Sequence, residues 1–343
     1  MSKLIALLLT ALLVTAACGD DDSQARSPED EGAVDSITLY SGRDEELISP
    51  ILEGFTAATG IDVEARYGGS AELALQIQTE GGSSPADVFI SQSPGALSLL
   101  AGEDRLVTLS DELVDLVDPG FAASDNTWVG LTGRARVIVY NSELVDEADL
   151  PTSILDLTDP RYSGQVGVAP TNGSFQDFVT AMRNELGDDA TAEWLAGMAS
   201  NDAPNYPKNS AIVEAVGRGE IQMGLVNHYY NLRALEADPG VPSANHFLPA
   251  DDVGSLVIVT GGGVLSSSDT PNASQQLLTY LLSSEAQASF ASETQEYPLL
   301  PEVAAPEGLP ALVGLAVDTI DFDLLGGGLT GTIDLIRDSG IEG

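Results

Sequence analysis

Residues 219–233 read GEIQMGLVNHYYNLR, and the interpretation of the whole chain works outward from this stretch. Its segment 221–226 is short and mostly apolar, which predicts a buried strand. Asn227 favours a helix start, because its side chain can accept a bond from a free backbone N–H group. The stretch therefore predicts a strand that ends at a helix, with Tyr229 and Tyr230 adjacent in the first helical turn.

The two neighbouring tyrosines have two possible roles. In a strand their side chains would point to opposite faces, whereas in a helical turn they lie about 100° apart. Both hydroxyls could then reach one point, where the positive end of the helix dipole favours an anion. This arrangement suits two phenolates bound to a hard, highly charged cation. The alternative is that both rings are packing residues whose hydroxyls are hydrogen-bonded.

The composition excludes several classes of partner. The chain has 343 residues, of which 13 are basic and 53 acidic, and its net charge is −40. Nucleic acids and anionic lipids need a basic surface, so neither is an expected partner. The acidic residues are dispersed among ordinary hydrophobic content, which indicates a folded protein with a solvated acidic surface. The length predicts two domains or lobes.

The N-terminus has the features of an export signal. Lys3 precedes an apolar run at residues 4–14, and small residues follow before Cys18, the single cysteine. The run is shorter than the roughly 20 residues of a membrane span. The segment resembles a bacterial lipoprotein signal peptide at residues 1–17, with a lipidated Cys18 as the first mature residue. The alternative is a plain secretory signal followed by a free cysteine.

An acidic, polar segment without an apolar pattern follows at residues 18–36. This composition predicts a flexible tether that holds the folded domain, 37–343, away from a membrane. The expected location is the outer face of the cytoplasmic membrane, at the cell surface or in the periplasm.

Beyond the tether, strand and helix patterns alternate, which predicts an α/β fold with a mainly parallel sheet. The helices expected from apolar periodicity and capping residues include those at 45–59, 71–79, 175–186, 211–216, 272–283, 286–293 and 332–338. The pattern also predicts a strand at 165–170 and a glycine turn after a strand at 255–260.

Polar turns follow four of the predicted strands, at residues 41–44, 92–93, 171–174 and 227–230. In open α/β sheets, ligands bind outside the carboxyl ends of the strands. Because these turns come from two separated parts of the chain, they predict a cleft between two lobes that closes around a ligand.

Seven segments, taken together and in order, resemble the ferric-iron-binding solute receptors of ABC importers. They are ITLYSGRDEEL (37–47), SPADVFISQSPGAL (84–97), WVGLTGRARVIVYN (128–141), LDLTDPRYSGQVGVAPTNGSF (155–175), YPKNSAIVEAVGRGEI (206–221), VNHYYNLRAL (226–235) and QEYPL (295–299). The resemblance covers residues 37–300 and implies a two-lobed periplasmic-binding-protein fold of type II, with lobes joined by a strand hinge. That fold closes on Fe³⁺ together with a synergistic anion, carbonate or phosphate.

The resemblance also implies the extent of each lobe. We expect the first lobe at about 37–133 and 258–310, and the second at about 134–257, with a C-terminal tail at 311–343.

By the same resemblance, Tyr229 and Tyr230 are the phenolate ligands of iron. Asp44 stands where many members have a metal-binding histidine, and carboxylate oxygen is an acceptable hard ligand. Gln92 stands where some members have a glutamate ligand, and its neutral amide is expected to line the site. Members with a third tyrosine ligand have it where this chain has Phe175.

The synergistic anion is expected at two helix starts, because free backbone N–H groups there bind anions. The residues that the resemblance places at the anion are Asn172, Gly173, Ser174, Asn209 and Asn227, with Arg134 or Arg136 as a further partner. The two arginines lie at positions i and i+2 of a predicted strand and share one face. One of them could add a charge-assisted bond to the anion; the alternative is an ion pair that bridges the hinge.

The expected function is the extracytoplasmic solute-binding component of an ABC importer, a monomer that delivers Fe³⁺ to a permease and ATPase complex. The alternative on the same fold is a receptor for a phosphonate, a polyamine or thiamine. A cationic organic ligand would need carboxylates and an aromatic box, and a phosphonate would not need phenolates.

The sequence lacks the patterns of common enzymes, so we do not expect catalysis. It has no G-x-S-x-G elbow, no H-E-x-x-H motif and no catalytic cysteine candidate, and its two histidines are His228 and His246. Residues 326–331 fit G-x-G-x-x-G, but without a following βαβ unit we interpret the match as chance. His228 precedes the tyrosines and has two interpretations, a residue that supports the ligands or a packing residue.

Overall fold

The structure is a computed structural model that describes residues 34–312, 315 and 323–343. The predicted signal peptide 1–17, Cys18 and most of the predicted tether 18–36 lie outside the described residues. The first strand begins at Ser36, the last residue of that tether. Within the described residues, no helix is both long enough and apolar enough to cross a membrane.

Strands and helices alternate along most of the described chain. The strands are β1 (Ser36–Ser41), β2 (Asp62–Tyr67), β3 (Val88–Ser91), β4 (Val129–Asn141), β5 (Val166–Gly167), β6 (Met223–Asn227), β7 (Ser243–His246), β8 (Val257–Val264) and β9 (Tyr297–Pro298). The α-helices are α1 (Glu45–Thr59), α2 (Ser70–Glu80), α3 (Pro94–Ala101), α4 (Asp111–Val114), α5 (Gly173–Leu186), α6 (Asp188–Ser200), α7 (Asn209–Gly217), α8 (His228–Ala237), α9 (Pro271–Leu281), α10 (Ser284–Ser289) and α11 (Asp323–Asp338).

The sheet is mixed, so the prediction of a mainly parallel sheet is wrong. Its strand order is β2-β1-β3-β8-β4-β6-β5, with β7 and β9 paired to β4. The pairs β1–β2, β1–β3 and β5–β6 are parallel, whereas β4 pairs antiparallel with β6, β7, β8 and β9. The reason is that β4 carries the chain from the first half of the fold into the second, and β8 carries it back. Two adjacent strands that run in opposite directions pair antiparallel.

The long strand β4 joins two halves of the fold. Its first part, up to Ala135, pairs with β8, and its second part, from Arg136 onward, pairs with β6. We call the part built on β1, β2, β3 and the beginning of β4 the first lobe, and the part built on β5, β6, β7 and the end of β4 the second lobe. The fold is therefore the expected two-lobed periplasmic-binding-protein architecture, whereas the exact lobe boundaries stay a prediction.

Each lobe has its own hydrophobic core. Phe55, Phe89 and Trp128 are fully buried in the first lobe. Phe178 and Trp194 are buried in the second lobe, with ring centroids 5.7 Å apart in an edge-to-face contact. Burial of such rings accounts for much of the stability of a core, because each removes a large apolar surface from water.

The first helix confirms the prediction from periodicity, since α1 spans the predicted residues 45–59. Apolar residues spaced three and four apart, from Leu47 to Phe55, form its buried face. The helix ends at Gly60, whose φ of 78° is the left-handed conformation that glycine adopts without strain.

The predicted glycine turn after residue 260 is wrong, because β8 continues without interruption to Val264. The glycines are needed for close packing rather than for a turn. A Cβ atom at Gly262 would lie 2.6 Å from a methyl carbon of Leu278, and one at Gly261 would lie 2.7 Å from Leu97. Only a strand without side chains at these positions can pack so closely against its neighbours.

Several other predicted boundaries differ from the structure. The strand predicted at 165–170 is reduced to β5, and helix α6 and strand β7 were not predicted. The helix predicted at 332–338 begins earlier, at Asp323, and includes the glycine-rich motif. In this helix a Cβ at Gly328 would lie 2.8 Å from Thr180 of α5, so the motif permits close helix packing.

Candidate functional site

The tyrosine pair lies where the sequence predicts it, at the junction of β6 and α8. Helix α8 begins at His228, and Asn227 precedes it with extended backbone angles. The rings of Tyr229 and Tyr230 are stacked, with centroids 4.2 Å apart and an interplanar angle of 28°. Tyr229 is buried and Tyr230 is half-buried. The two phenols therefore lie side by side at the start of one helix.

Two adjoining cavities contain residues of both lobes, and the second of them borders helix α8. The first has a volume of about 830 Å³ and is lined by Asp44 and Gln92 of the first lobe and by Asn172 and Asp177 of the second. The second, of about 550 Å³, is lined by Asp44, Gln92, Asn172 and also Tyr230. The three shared residues connect the cavities, so together they form one cleft between the lobes.

The cleft residues of the first lobe follow the ends of two neighbouring parallel strands. Asp44 precedes α1 as its N-terminal flanking residue, but its side chain forms no capping hydrogen bond and is exposed. Gln92 follows β3, and its backbone N–H donates to the hydroxyl of Ser70 at 3.0 Å. The structure thus brings both predicted residues of this lobe to the cleft, with the Asp44 carboxylate free to meet a ligand.

The anion turn of the second lobe also reaches the cleft. Asn172, Gly173 and Ser174 all line the first cavity. The Asn172 side-chain oxygen accepts bonds from the Ser174 backbone N–H at 3.1 Å and from its hydroxyl at 2.6 Å. This cap fixes the start of α5. The free backbone N–H groups at that start are directed towards the cavity.

The remaining predicted anion residues are buried behind the cleft. Arg134, Arg136, Asn209 and Asn227 are each at most 4% exposed, and none is among the residues that line the two cavities. Arg136 donates to the side-chain oxygen of Asn227 at 3.3 Å and to Ser174 at 3.5 Å. These residues therefore support the wall of the cleft from inside the second lobe.

Three expectations for these residues are wrong. The side chain of Asn227 forms no capping bond to α8 and accepts a bond from Arg136 instead. The helix predicted at 211–216 begins earlier, so Asn209 is the first residue of α7 rather than a cap before it. Neither Arg134 nor Arg136 forms an ion pair across the hinge with any carboxylate in the part of the chain that the structure describes. Instead, an unpaired nitrogen on each arginine is buried, the Nε of Arg134 and an Nη of Arg136.

The electrostatic surroundings keep the free tyrosine neutral. Burial, followed by the neighbouring phenol of Tyr230, raises the pKa of Tyr229 well above its ordinary value, although the charge of Arg134 acts in the opposite direction. Burial and the charge of Arg134 lower the pKa of Arg136 to about 10. A cation that binds the phenolate must therefore displace its proton, and two guanidinium groups lie near the resulting negative charge.

A buried ion pair in the first lobe was not predicted and is formed by Arg43 and Glu296. The guanidinium donates to both carboxylate oxygens, at 3.0 and 2.7 Å, and to the hydroxyl of Thr260 at 3.1 Å. Both charged residues are almost fully buried. Each charged residue lies in one of the short segments that carry the family resemblance, GRDEEL and QEYPL, but their spacing in the sequence gives no indication that they meet.

Asp177 connects the two walls of the cleft and was also missed. The Ser93 hydroxyl of the first lobe donates to its carboxylate at 2.6 Å. Burial raises the pKa of Asp177 to about 6, although the bond from Ser93 and the charges of Arg134 and Arg136 lower it. The sequence offers little indication of this role, because acidic residues are common in the first turns of helices.

His228 is buried directly before the tyrosines. Its Nδ1 accepts the backbone N–H of Ala135 at 3.1 Å, and its Nε2 lies 2.8 Å from the carbonyl oxygen of Gln295. Burial lowers its pKa to about 4. The ring is therefore neutral at physiological pH, with its proton on Nε2.

Phe175 offers no oxygen to the cleft, since it is fully buried against Phe178 with ring centroids 6.0 Å apart. Within the described ranges, no group of three or more His, Cys, Asp or Glu side chains is placed to hold a metal ion.

Among the predicted site residues, Asp44, Gln92 and Asn172 line both cavities, and Tyr230 lines the second. Tyr229 lines neither cavity and reaches this region through its stacking on Tyr230.

Comparison with protein families matches residues 83–325 of the chain to the model of the bacterial extracellular solute-binding proteins. The match includes the tyrosine junction and the anion turn, and it covers more than half of the chain.

Individual relatives agree with this match. The chain is 35% identical over 288 residues to the major ferric iron-binding protein of Neisseria meningitidis serogroup B, covering 82% of this chain and 86% of that protein. It is 34% identical over 254 residues to the Fe(3+)-binding periplasmic protein of Serratia marcescens, covering 73% of this chain and 75% of that protein.

Solved structures show the same architecture. Iron-bound HitA from Pseudomonas aeruginosa superposes with a TM-score of 0.85 at 35% identity, covering 90% of this chain and all of that one (100%). The Trichodesmium protein IdiA, or FutA, in complex with iron and citrate has a TM-score of 0.79 at 26% identity, covering 89% of this chain and 99% of that one.

Proposed function

The chain belongs to the bacterial extracellular solute-binding proteins, and we propose that it binds Fe³⁺ in the cleft and delivers it to an ABC importer. The relatives named above for ferric iron binding support iron as the cargo. Transport requires only binding and release, so the proposal includes no catalytic step.

The single observation that carries the proposal is the stacked tyrosine pair at the edge of the cleft. Its ring centroids are 4.2 Å apart, and Tyr230 lines a cavity that also contains Asp44 and Gln92. Adjacent phenolates are hard anionic oxygen ligands, which suit a small trivalent cation. A receptor for a phosphonate would have no use for two phenols at this point.

In the proposed ligand set, Tyr229 and Tyr230 bind iron directly. The exposed Asp44 carboxylate is a third oxygen donor, bound directly or through water, and Gln92 lines the site as a neutral amide. Phe175 contributes nothing to coordination, so the remaining positions are filled by the synergistic anion and water.

The synergistic anion, carbonate or phosphate, is proposed to lie at the start of α5. Asn172, Gly173 and Ser174 would contact it, because they line the cavity at a helix N-terminus. Asn209, Asn227 and the arginines are buried behind this turn, so their proposed role is to hold it and to supply positive charge. Arg136 contributes through its bonds to Ser174 and Asn227, and Arg134 through its charge.

Binding is proposed to couple closure of the lobes to release of protons. Asp44 and Gln92 lie on one lobe and the tyrosines and the anion turn on the other, so only a closed cleft offers all contacts at once. Iron must displace the phenol protons, and the raised pKa of Tyr229 makes that displacement more difficult in acid. Affinity is therefore expected to fall as the pH decreases.

The proposed location follows from the sequence and from the relatives. The protein would be exported, cleaved before Cys18 and anchored by a lipid on that residue to the outer face of the cytoplasmic membrane. It would act as a monomer with a permease and ATPase complex as its partner, since one chain supplies both walls of the cleft.

A titration followed in the visible region tests this function. Addition of ferric nitrilotriacetate with bicarbonate to the purified protein should produce a broad absorption band from phenolate-to-iron charge transfer. Putrescine, thiamine and 2-aminoethylphosphonate serve as matched organic ligands and should show no binding by calorimetry. Absence of the band together with tight binding of one organic ligand would replace iron by that ligand as the cargo.

A further inference from the structure

The imidazole of His228 occupies an unusual position between the end of a strand and a helix start. Asn227 of β6 pairs with Arg136 of β4, and this is the last pair of that ladder. One residue further on, the backbone N–H of Ala135 donates to the Nδ1 of His228 at 3.1 Å. The ring therefore takes the place that a backbone carbonyl would have in a longer ladder.

The second bond of the ring reaches another part of the chain. The protonated Nε2 donates to the carbonyl of Gln295 at 2.8 Å. Gln295 has a φ of 60°, a left-handed conformation that residues other than glycine rarely adopt. It directly precedes the segment that leads into β9, and β9 pairs with Thr132 and Gly133 of β4.

Both partners of His228 therefore lie at the hinge. Ala135 is the last residue of β4 to pair with β8, and its neighbour Arg136 is the first to pair with β6. This is the point at which the chain crosses from the first lobe to the second. A change of twist in β4 or a shift of Gln295 during lobe closure must move the imidazole, because the ring is fully buried and bonded at both nitrogens.

The ring also contacts the tyrosine pair. The edge of the His228 imidazole meets Tyr229 at a centroid distance of 5.9 Å and an angle of 85°. On its other side it packs on Tyr297 of β9, with centroids 4.9 Å apart. The imidazole is thus held between a hinge residue and a member of the tyrosine pair.

We propose that His228 is a positioning residue that links the hinge to the tyrosine pair, so that lobe closure sets the orientation of the two phenols. The inference rests on the proposed iron function of the pair and assigns His228 no contact with the metal. A histidine that only fills space would affect the stability of the fold but would leave the coordination of iron unchanged.

Two conservative substitutions separate the bonds of the ring. His228→Asn keeps an acceptor near the position of Nδ1 and loses the donor to Gln295, whereas His228→Gln keeps a donor near the position of Nε2 and loses the acceptor for Ala135. His228→Ala loses both. His246→Gln is the matched control, because His246 also bonds a backbone carbonyl, that of Pro151 at 2.8 Å, and lies in β7 outside the cleft lining.

The experiment measures three quantities for each full-length, purified variant: iron affinity by competition between protein and citrate, the wavelength of the charge-transfer band, and the melting temperature of the iron-free protein. His228→Ala should weaken iron binding about 10- to 100-fold, the range found for residues that orient metal ligands, and should displace the band. His228→Asn and His228→Gln should lose less iron affinity and displace the charge-transfer band less. His246→Gln should leave the iron affinity and the band unchanged.

The possible contrary results are distinct. If all folded His228 variants keep the affinity and band of the unaltered protein while only their melting temperatures fall, His228 is a packing residue and the inference is wrong. If the unaltered protein shows no band with ferric nitrilotriacetate, the proposed function fails and this inference fails with it. Should the Ala variant not fold, the Asn and Gln variants decide by the same criteria.

Discussion

The two walls of the cleft differ in how firmly their side chains are held. On the first-lobe wall, the Asp44 carboxylate is exposed and forms no capping bond, and Gln92 is half-buried. On the second-lobe wall, the tyrosines are stacked and Tyr229 packs on His228, while Arg136 bonds Asn227, the residue before their helix. The difference indicates that the second wall is preorganised for a ligand, whereas the first wall meets it on closure.

A preorganised wall should provide most of the affinity, because its groups lose little conformational freedom when the ligand binds. The adaptable wall should contribute less affinity and more of the coupling to closure. The predictions below test this difference between the walls, beginning with the change that should have the largest effect.

Removal of both phenols should abolish the function of the second wall. We expect the double variant Tyr229→Phe/Tyr230→Phe to bind Fe³⁺ at least about 10,000-fold more weakly, or about 5.5 kcal/mol. Equilibrium competition with citrate measures the change. Tyr280→Phe is the control, since that ring packs on Phe55 in the first lobe. Comparable losses in the control and the double variant would contradict the assignment.

Loss of the buried ion pair in the first lobe should destabilise the fold behind the adaptable wall. Glu296→Gln leaves Arg43 buried without its counter-ion, and breaking such a pair costs about 3–5 kcal/mol of unfolding free energy. Chemical denaturation of the iron-free protein measures this loss of unfolding free energy. Glu220→Gln breaks an exposed pair with Arg218 and should have a much smaller effect, because water screens exposed charges. Equal effects of the two substitutions would show that the buried pair contributes little.

The carboxylate that joins the walls should make stability depend on pH. The pKa of Asp177 in the folded protein is raised to about 6, so folding favours the protonated form. Its ionisation therefore lowers the free energy of unfolding as the pH rises from about 4 through about 6. The loss is about 3 kcal/mol, because each pKa unit corresponds to about 1.4 kcal/mol.

Asp177→Asn can still accept the bond from Ser93 and should remove this dependence. It should be more stable than the unaltered protein at pH 7.5 and equally stable at pH 4, as measured by denaturation at both values. Asp188 is exposed and its pKa is lowered by the bond and charge of Arg183, so Asp188→Asn should give a small difference of the opposite sign. A constant difference between Asp177→Asn and the unaltered protein at all pH values would contradict the account.

The smallest effect is expected on the adaptable wall. Asp44→Ala removes one exposed carboxylate and should weaken iron binding about 10-fold, or about 1.4 kcal/mol. Glu46→Ala, an exposed acid in the first turn of the same helix, is the control for the loss of one negative charge. An effect as large as that of the tyrosine pair would reverse the proposed roles of the two walls.

The parts of the molecule that the sequence predicts well are local. The strand-to-helix junction at Asn227, the helix α1 and the polar turns after β1, β3 and β6 depend on residues close together in the chain. Their patterns of apolar residues and capping groups are sufficient to indicate them. The family resemblance then indicated the two-lobed fold, which the structural comparisons confirm.

The features that the sequence does not predict depend on long-range contacts. Arg43 and Glu296 are separated by 253 positions, so no local pattern indicates their pairing. The glycines of β8 look like a turn in sequence, and only the packing of Leu97 and Leu278 explains a strand there. The arginines at positions 134 and 136 share the expected strand, but the sequence does not reveal that they are buried behind the cleft.

The account depends most on direct coordination of iron by the tyrosine pair. The most direct test is the visible spectrum of the iron-loaded protein compared with Tyr229→Phe and Tyr230→Phe, each loaded with ferric nitrilotriacetate and bicarbonate. We predict a broad phenolate-to-iron band in the unaltered protein that is weaker and displaced in each single variant. An identical band in all three proteins would contradict the account, because the phenolate bound to iron would then come from another tyrosine.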